Sequence, residues 1–209
     1  MVFIVYSVMG ITSHCRILGY ASSRITKDLI KLTLGGMRNG EYKSRLCAPL
    51  QQLKDEHISL RAEMVLFYEI AEEIECESGP AVVSLFAELY ARVSAFTEDL
   101  KVHSKREEEG LFPLMVRRLG KNDHTIDEME EEHEKAEQHL QDFLTEANQT
   151  GTSLDEHDAQ SITVSAVQAY ATLTQHFAKE EKVLFPLAET TLTFDDKTEL
   201  KRLLQTSER

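Results

Sequence analysis

The chain contains no tryptophan, and only nine glycines, four prolines and three cysteines occur among its 209 residues. So little glycine and proline leaves long segments without the turn signals that short strands and hairpins need, and the sequence reads as all-α. Cys15, Cys47 and Cys76 are odd in number and unpatterned. They offer no disulfide framework and no zinc or haem spacing, so a reducing, cytoplasmic setting is the simplest expectation. Basic residues are also short: 23 Lys and Arg stand against 36 Asp and Glu, a formal charge of -13. That balance argues against nucleic acid and anionic membrane surfaces as partners. The apolar N-terminal run, Met1 to Ile11, is too short to span a bilayer and lacks the basic flank of a secretory signal. Residues 1–45 share no period with the remainder of the chain. They are expected to be an appendage, partly ordered, or a leader upstream of a later start such as Met37.

Against these absences stands a segment that occurs almost twice. His103-Ser104-Lys105-Arg106-Glu107-Glu108-Glu109-Gly110-Leu111-Phe112-Pro113-Leu114 returns 73 residues later as His176-Phe177-Ala178-Lys179-Glu180-Glu181-Lys182-Val183-Leu184-Phe185-Pro186-Leu187. Repetition at that distance points to a duplicated helical hairpin, not to a solenoid of shorter period. A His and a Glu four apart on a helix differ by about 40° and share one face.

The rest of the chain places these pairs on apolar stripes. Leu50, Leu53, His57, Leu60, Met64, Phe67, Ala71 and Ile74 follow at 3-4 spacing behind Pro49, which suits a first helical turn. Ser78-Gly79-Pro80 ends that helix and begins the next, whose stripe is Leu85, Leu89, Val93, Phe96, Leu100, His103, Glu107 and Leu111. Gly110 and Pro113 should loosen or kink it just past the ligand pair. A third helix over about 123–148 carries Ile126, Met129, His133, Leu140 and Leu144, with Glu137 on the face of His133. A fourth presents Ile162, Ala166, Ala169, Leu173, His176, Glu180, Leu184 and Leu187. Asp195 is the expected cap of a short last helix lying against the bundle's end. At ~1.5 Å per residue, the paths between turns return His57, His103, His133 and His176 to one level of an up-down-up-down four-helix bundle. The domain is expected over 46–190, with a C-terminal helix or tail over 191–209.

One buried histidine on an apolar stripe is usually an ordinary core residue. Four at one height, with two carboxylates that no inward-facing Lys or Arg neutralises, call for a cation, since burying an unpaired carboxylate costs several kcal/mol. His14, His124, His139 and His157 lie off the stripes and read as surface residues. Imidazole and carboxylate without thiolate suit iron or manganese. Four histidines and two bridging glutamates fill about eight of the roughly twelve positions of two octahedral ions. An oxo or hydroxo bridge would take two more, leaving room for Glu137, water or an outside ligand. Phe112, Phe185 and Phe67 should keep the pocket apolar, favouring neutral diatomics.

With these residues in place, the sequence resembles the hemerythrin-like, or HHE cation-binding, family over about residues 46–190. The two His-x-x-x-Glu segments running into Leu-Phe-Pro match His103 with Glu107 and His176 with Glu180. Glu56-His57 and Glu132-His133 match the family's first-helix and third-helix histidines. The resemblance implies two non-haem iron ions held by His57, His103, Glu107, His133, His176 and Glu180, with Glu181 as an alternative to Glu180, and the coordination count above adds Glu137 to the candidate ligands. It also implies a role in binding or sensing O₂, peroxide or a small diatomic. The chain departs from the O₂ carriers at Glu137, where they have a second third-helix histidine, and it lacks the cysteine motif of the cluster-repair relatives. Four roles are therefore expected in competition. They are a reversible binder or sensor of O₂, an enzyme reducing peroxide, O₂ or nitric oxide with Glu137 relaying protons, an iron store, and a metal-free bundle.

Overall fold

The apolar stripes become long helices in a computed structural model that describes residues 45–120, 123–151 and 154–206. Residues 1–44, the bulk of the expected appendage, lie outside the described residues. Helix α1 spans Ala48–Cys76, and Pro49 sits in its first turn, where a missing N–H costs nothing. The Cys47 N–H, just before the helix, donates to the Glu189 carboxylate at 2.6 Å. Gly79, at φ 70°, reverses the chain, a backbone conformation that glycine adopts without strain. Pro80 then opens α2, Pro80–Arg106.

The second bundle helix does not end there. It continues through a π-helical turn, Glu107–Leu111, into α3, Phe112–Leu119. The fourth bundle helix is built the same way, from α5, Glu156–Lys179, through a π turn, Glu180–Leu184, into α6, Phe185–Thr191. In each, the N–H of the phenylalanine reaches back five residues, Phe112 to the Glu107 carbonyl and Phe185 to that of Glu180. The proline after each phenylalanine lacks the N–H that an uninterrupted α-helix would use. The expected loosening near Gly110 and Pro113 therefore takes the form of one widened turn. Its extra residue shifts the buried face, so that Leu111, Phe112, Leu114 and Met115 all turn inward.

Between these two runs lies α4, Thr125–Thr150. Asp123 accepts from the Thr125 N–H at 2.9 Å, and Asp155 caps α5 by accepting from the Asp158 N–H at 2.8 Å. Three stripe assignments shift by one position. Leu85, Leu144 and Leu187 are only half-buried, while Phe86, Phe143 and Ala188 are buried.

The last helix, α7, spans Phe194–Thr206. Its cap is not Asp195 but a reciprocal pair. The Thr193 N–H donates to the Asp196 carboxylate at 2.9 Å, and the Asp196 N–H faces the Thr193 hydroxyl at 3.3 Å. Arg118 and Arg117 add bonds of 2.6 and 2.7 Å and hold the Asp196 carboxyl well below the usual carboxylate range. Helix α7 packs across the first π turn at Gly110. A Cβ there would come 3.3 Å from the Leu200 side chain.

The described residues form an all-α bundle. Its buried side chains fall into two apolar clusters. The larger holds Met64, Phe67, Phe96, Phe143 and Leu173, and the smaller holds Leu53, Leu111, Met129, Phe185 and Leu200. Between them lies a polar layer. Among the described residues, no helix is long and apolar enough to cross a membrane.

Candidate metal centre

Four helices contribute to the polar layer. Helix α1 brings His57, and α4 brings His133. Helices α2 and α5 bring His103 and His176 in their last turns, and the adjoining π turns open on Glu107 and Glu180. All six side chains are at most 3% exposed. They converge as two groups sharing both carboxylates: His57, His103, Glu107 and Glu180, and Glu107, His133, His176 and Glu180. Within each group the donor atoms lie within 4.8 Å of one another, a spread compatible with ligand bonds of about 2 Å to one central ion.

The histidines point their Nε2 atoms inward. His57 Nε2 and His103 Nε2 are 3.0 Å apart. One Glu107 oxygen is 3.4 Å from His103 Nε2 and 3.5 Å from His133 Nε2, and one Glu180 oxygen is 3.2 Å from His57 Nε2 and 3.4 Å from His176 Nε2.

Every histidine is fixed from behind by a glutamate on another helix. His57 Nδ1–H donates to Glu181 at 3.1 Å and His103 Nδ1–H to Glu56 at 2.9 Å. His133 Nδ1–H donates to Glu108 at 2.8 Å and His176 Nδ1–H to Glu132 at 3.0 Å. An ionised carboxylate can only accept, so each Nδ1 carries a hydrogen, and in the neutral ring each Nε2 presents a lone pair to the interior. This arrangement orients a metal-binding imidazole and raises its basicity. Basic side chains brace the outer carboxylates in turn. Arg106 donates to Glu56 at 2.8 Å, Lys179 to Glu132 at 3.1 Å, and Arg61 to Glu181.

With all four rings neutral, the inner surface is left with acceptors and no donors. Both oxygens of Glu107, both of Glu180, and the Nε2 atoms of His133 and His176 are buried without a hydrogen-bond partner. Each such group costs about 1–3 kcal/mol, and more where it is charged. Lone pairs aimed at a common space are what a cation would satisfy, so the residues present fit a metal. Their titration agrees. Burial, reinforced by the facing Glu180, pushes the Glu107 carboxyl well above its ordinary value. Burial alone would lower His57, but Glu180 and Glu181 outweigh it and raise the ring to about 9. Burial alone would raise Glu181, yet His57 and Arg61 hold it down at about 2. Without metal, the layer must take up protons in place of the missing positive charge.

Six of the seven ligand positions expected from the sequence meet here. The seventh, Glu137, stands outside both groups and is half-buried. Helix α4 runs opposite to α2 and α5. Stepping four residues on from His133 therefore moves ~6 Å away from the level of Glu107 and Glu180. Glu180 belongs to both groups, whereas Glu181 lies on the outer side against His57 Nδ1. The aromatic lining also differs from expectation. Phe177 and Phe185 stack on His57 at centroid distances of 4.3 and 5.5 Å, and Phe112 stacks on His133 at 5.6 Å. Phe67 lies ten residues up α1, ~15 Å away, within the larger apolar cluster. His124 and His157 are exposed, while His139 is half-buried.

Periodicity and spacing do not reveal the orienting roles of Glu56, Glu108 and Glu132. Their one signal in the sequence is adjacency, since each directly precedes or follows a ligand.

A helical bundle whose polar layer offers two buried His and Glu donor sets is, in class, a cation-binding domain. Residues 48–188 match the hemerythrin HHE cation-binding domain, and the chain belongs to that family. No curated protein matches the chain significantly.

Proposed function

We propose that this protein holds two non-haem iron ions, one in each donor group, and reversibly binds or senses O₂ or a related small neutral ligand. The supporting observation is the set of unpartnered inward acceptors, divided between two groups that share Glu107 and Glu180. Hard carboxylates with imidazoles and no thiolate suit iron. A ferrous pair supplies the electrons and open coordination positions that a neutral diatomic requires.

The chain's own residues do the rest. Glu107 and Glu180 would offset two of the four positive charges of a ferrous pair, and the four outer glutamates hold the imidazoles in the metal-binding tautomer. Phe112, Phe177 and Phe185 wall the layer with apolar surface and disfavour charged metabolites. The protein is proposed to act in the cytoplasm, the location expected from its sequence.

The test is visible spectroscopy of the full chain, loaded anaerobically with Fe(II), exposed to O₂ and then returned to argon. A band that forms and disappears reversibly is the expected result. Sustained consumption of O₂, peroxide or nitric oxide in the presence of a reductant would instead make the protein an enzyme. Failure to retain iron would remove the reading altogether.

A further inference from the structure

The polar layer has an internal two-fold relation. Adding 76 to a residue of α1 gives its counterpart on α4, and adding 73 carries the second bundle helix onto the fourth. His57 pairs with His133, His103 with His176, and Glu107 with Glu180. The outer bonds obey the same rule, His57 to Glu181 matching His133 to Glu108, and His103 to Glu56 matching His176 to Glu132. Arg106 on Glu56 likewise matches Lys179 on Glu132.

The relation fails beside one histidine of each pair. Over His57 lies the Phe177 ring, stacked at 4.3 Å, and the Arg61 guanidinium covers that ring at 5.4 Å while bonding Glu181. The counterpart of Phe177 is Ser104, and that of Arg61 is Glu137. Where one half is filled by an aromatic ring and closed by an arginine, the other has a hydroxymethyl group and a half-buried carboxylate. Ser104 is also anomalous in itself. It is 2% exposed, and its hydroxyl has no hydrogen-bond partner. A serine in a helix ordinarily bonds back to the carbonyl four residues earlier, as Thr97 and Thr163 do here at 2.7 Å. A buried hydroxyl that makes no bond calls for an occupant.

We infer that the small exogenous ligand binds on the His133–His176 half, in the space that Phe177 fills on the other half, and that the Ser104 hydroxyl is its hydrogen-bond donor. The inference rests on the metal-centre reading and assigns it a side and a specificity-determining residue. The first half, plugged by Phe177, takes no outside ligand. Glu137 gives the open side a negative wall, which disfavours anions relative to neutral molecules of the same size.

Azide titration of the iron-loaded, oxidised full chain tests this, with bound iron quantified in every variant. Ser104→Ala keeps the space and removes the donor, so azide affinity should fall about five- to tenfold, the worth of one hydrogen bond. Ser104→Leu fills the space and should reduce azide affinity at least about a hundredfold, with iron content unchanged. Azide binding unchanged in both Ser104 variants, with iron retained, overturns the inference and leaves the metal centre standing. Absence of iron from the wild-type protein overturns both. Ser104→Ala carries the decision if Ser104→Leu fails to fold.

Discussion

The two halves of the polar layer have the same inner ligands and different surroundings. Around His57 and His103, the outer carboxylates Glu181 and Glu56 are answered by Arg61, Lys54 and Arg106. Around His133 and His176, Glu132 has Lys179, while Glu108 has no basic partner among the described residues and is 43% exposed. The counterparts of Lys54 and Arg61 are Glu130 and Glu137. Duplication thus kept what holds a cation and let the shell around it diverge. Shared geometry makes both halves competent for metal. The divergence leaves one half capped by an aromatic ring and braced by cations, and the other with more acidic surroundings.

The largest effect should come from removing what the halves share. Glu107→Ala or Glu180→Ala takes a ligand from both groups at once, so metal content should fall from two ions per chain to one or none. Normal stoichiometry in both variants would refute the shared-carboxylate assignment. Next come the outer carboxylates. Glu56→Gln and Glu132→Gln should each weaken metal binding about 10–100-fold, and only in their own half. Two resolved steps in a Co(II) titration would show this, whereas equal weakening of both steps would not fit.

The pH dependence arises from the protons that replace the metal. His57, raised to about 9, and Glu107, raised above its ordinary value, both hold protons that metal must displace. Affinity should therefore fall as pH drops below about 9, by up to about tenfold per unit for each proton displaced. Calorimetry in buffers of different ionisation enthalpy would count the protons released, and a count of zero would contradict the account. The smallest effect concerns the shell. Arg61→Gln loses an ion pair with Glu181 and a contact over Phe177, and should cost about 1 kcal/mol of unfolding free energy. Glu137→Gln, with no such partners, should stay within about 0.5 kcal/mol. Denaturant titration of the two metal-free variants makes the comparison.

Much of this is legible in the sequence because the inner ligands interrupt apolar stripes. A histidine where the pattern demands leucine is visible in one dimension, and helix rise alone brings four of them to one level. The outer shell is different in kind. Glu56, Glu108 and Glu132 are partly exposed, and in sequence they look like any acidic residue on a solvated helix face. Only the neighbouring helix reveals what each one accepts. The π turns are hidden for a related reason. A glycine and a proline announce a disturbance, but the extra residue and the resulting inward turn of Phe112 and Phe185 depend on packing against the smaller apolar cluster. Glu137 shares a face with His133 by periodicity, and the opposite direction of α4 carries it off the level of the bridging pair. The Ser104 anomaly needs both the two-fold relation and the burial of its hydroxyl to become visible.

The central claim is that two cations share Glu107 and Glu180 within one buried layer. Crystals of the full chain loaded with iron, measured on either side of the iron absorption edge, test it most directly. The account predicts two anomalous peaks per chain, ~3.5–4 Å apart, one between His57 and His103 and the other between His133 and His176. A single peak, or peaks away from Glu107 and Glu180, would contradict it.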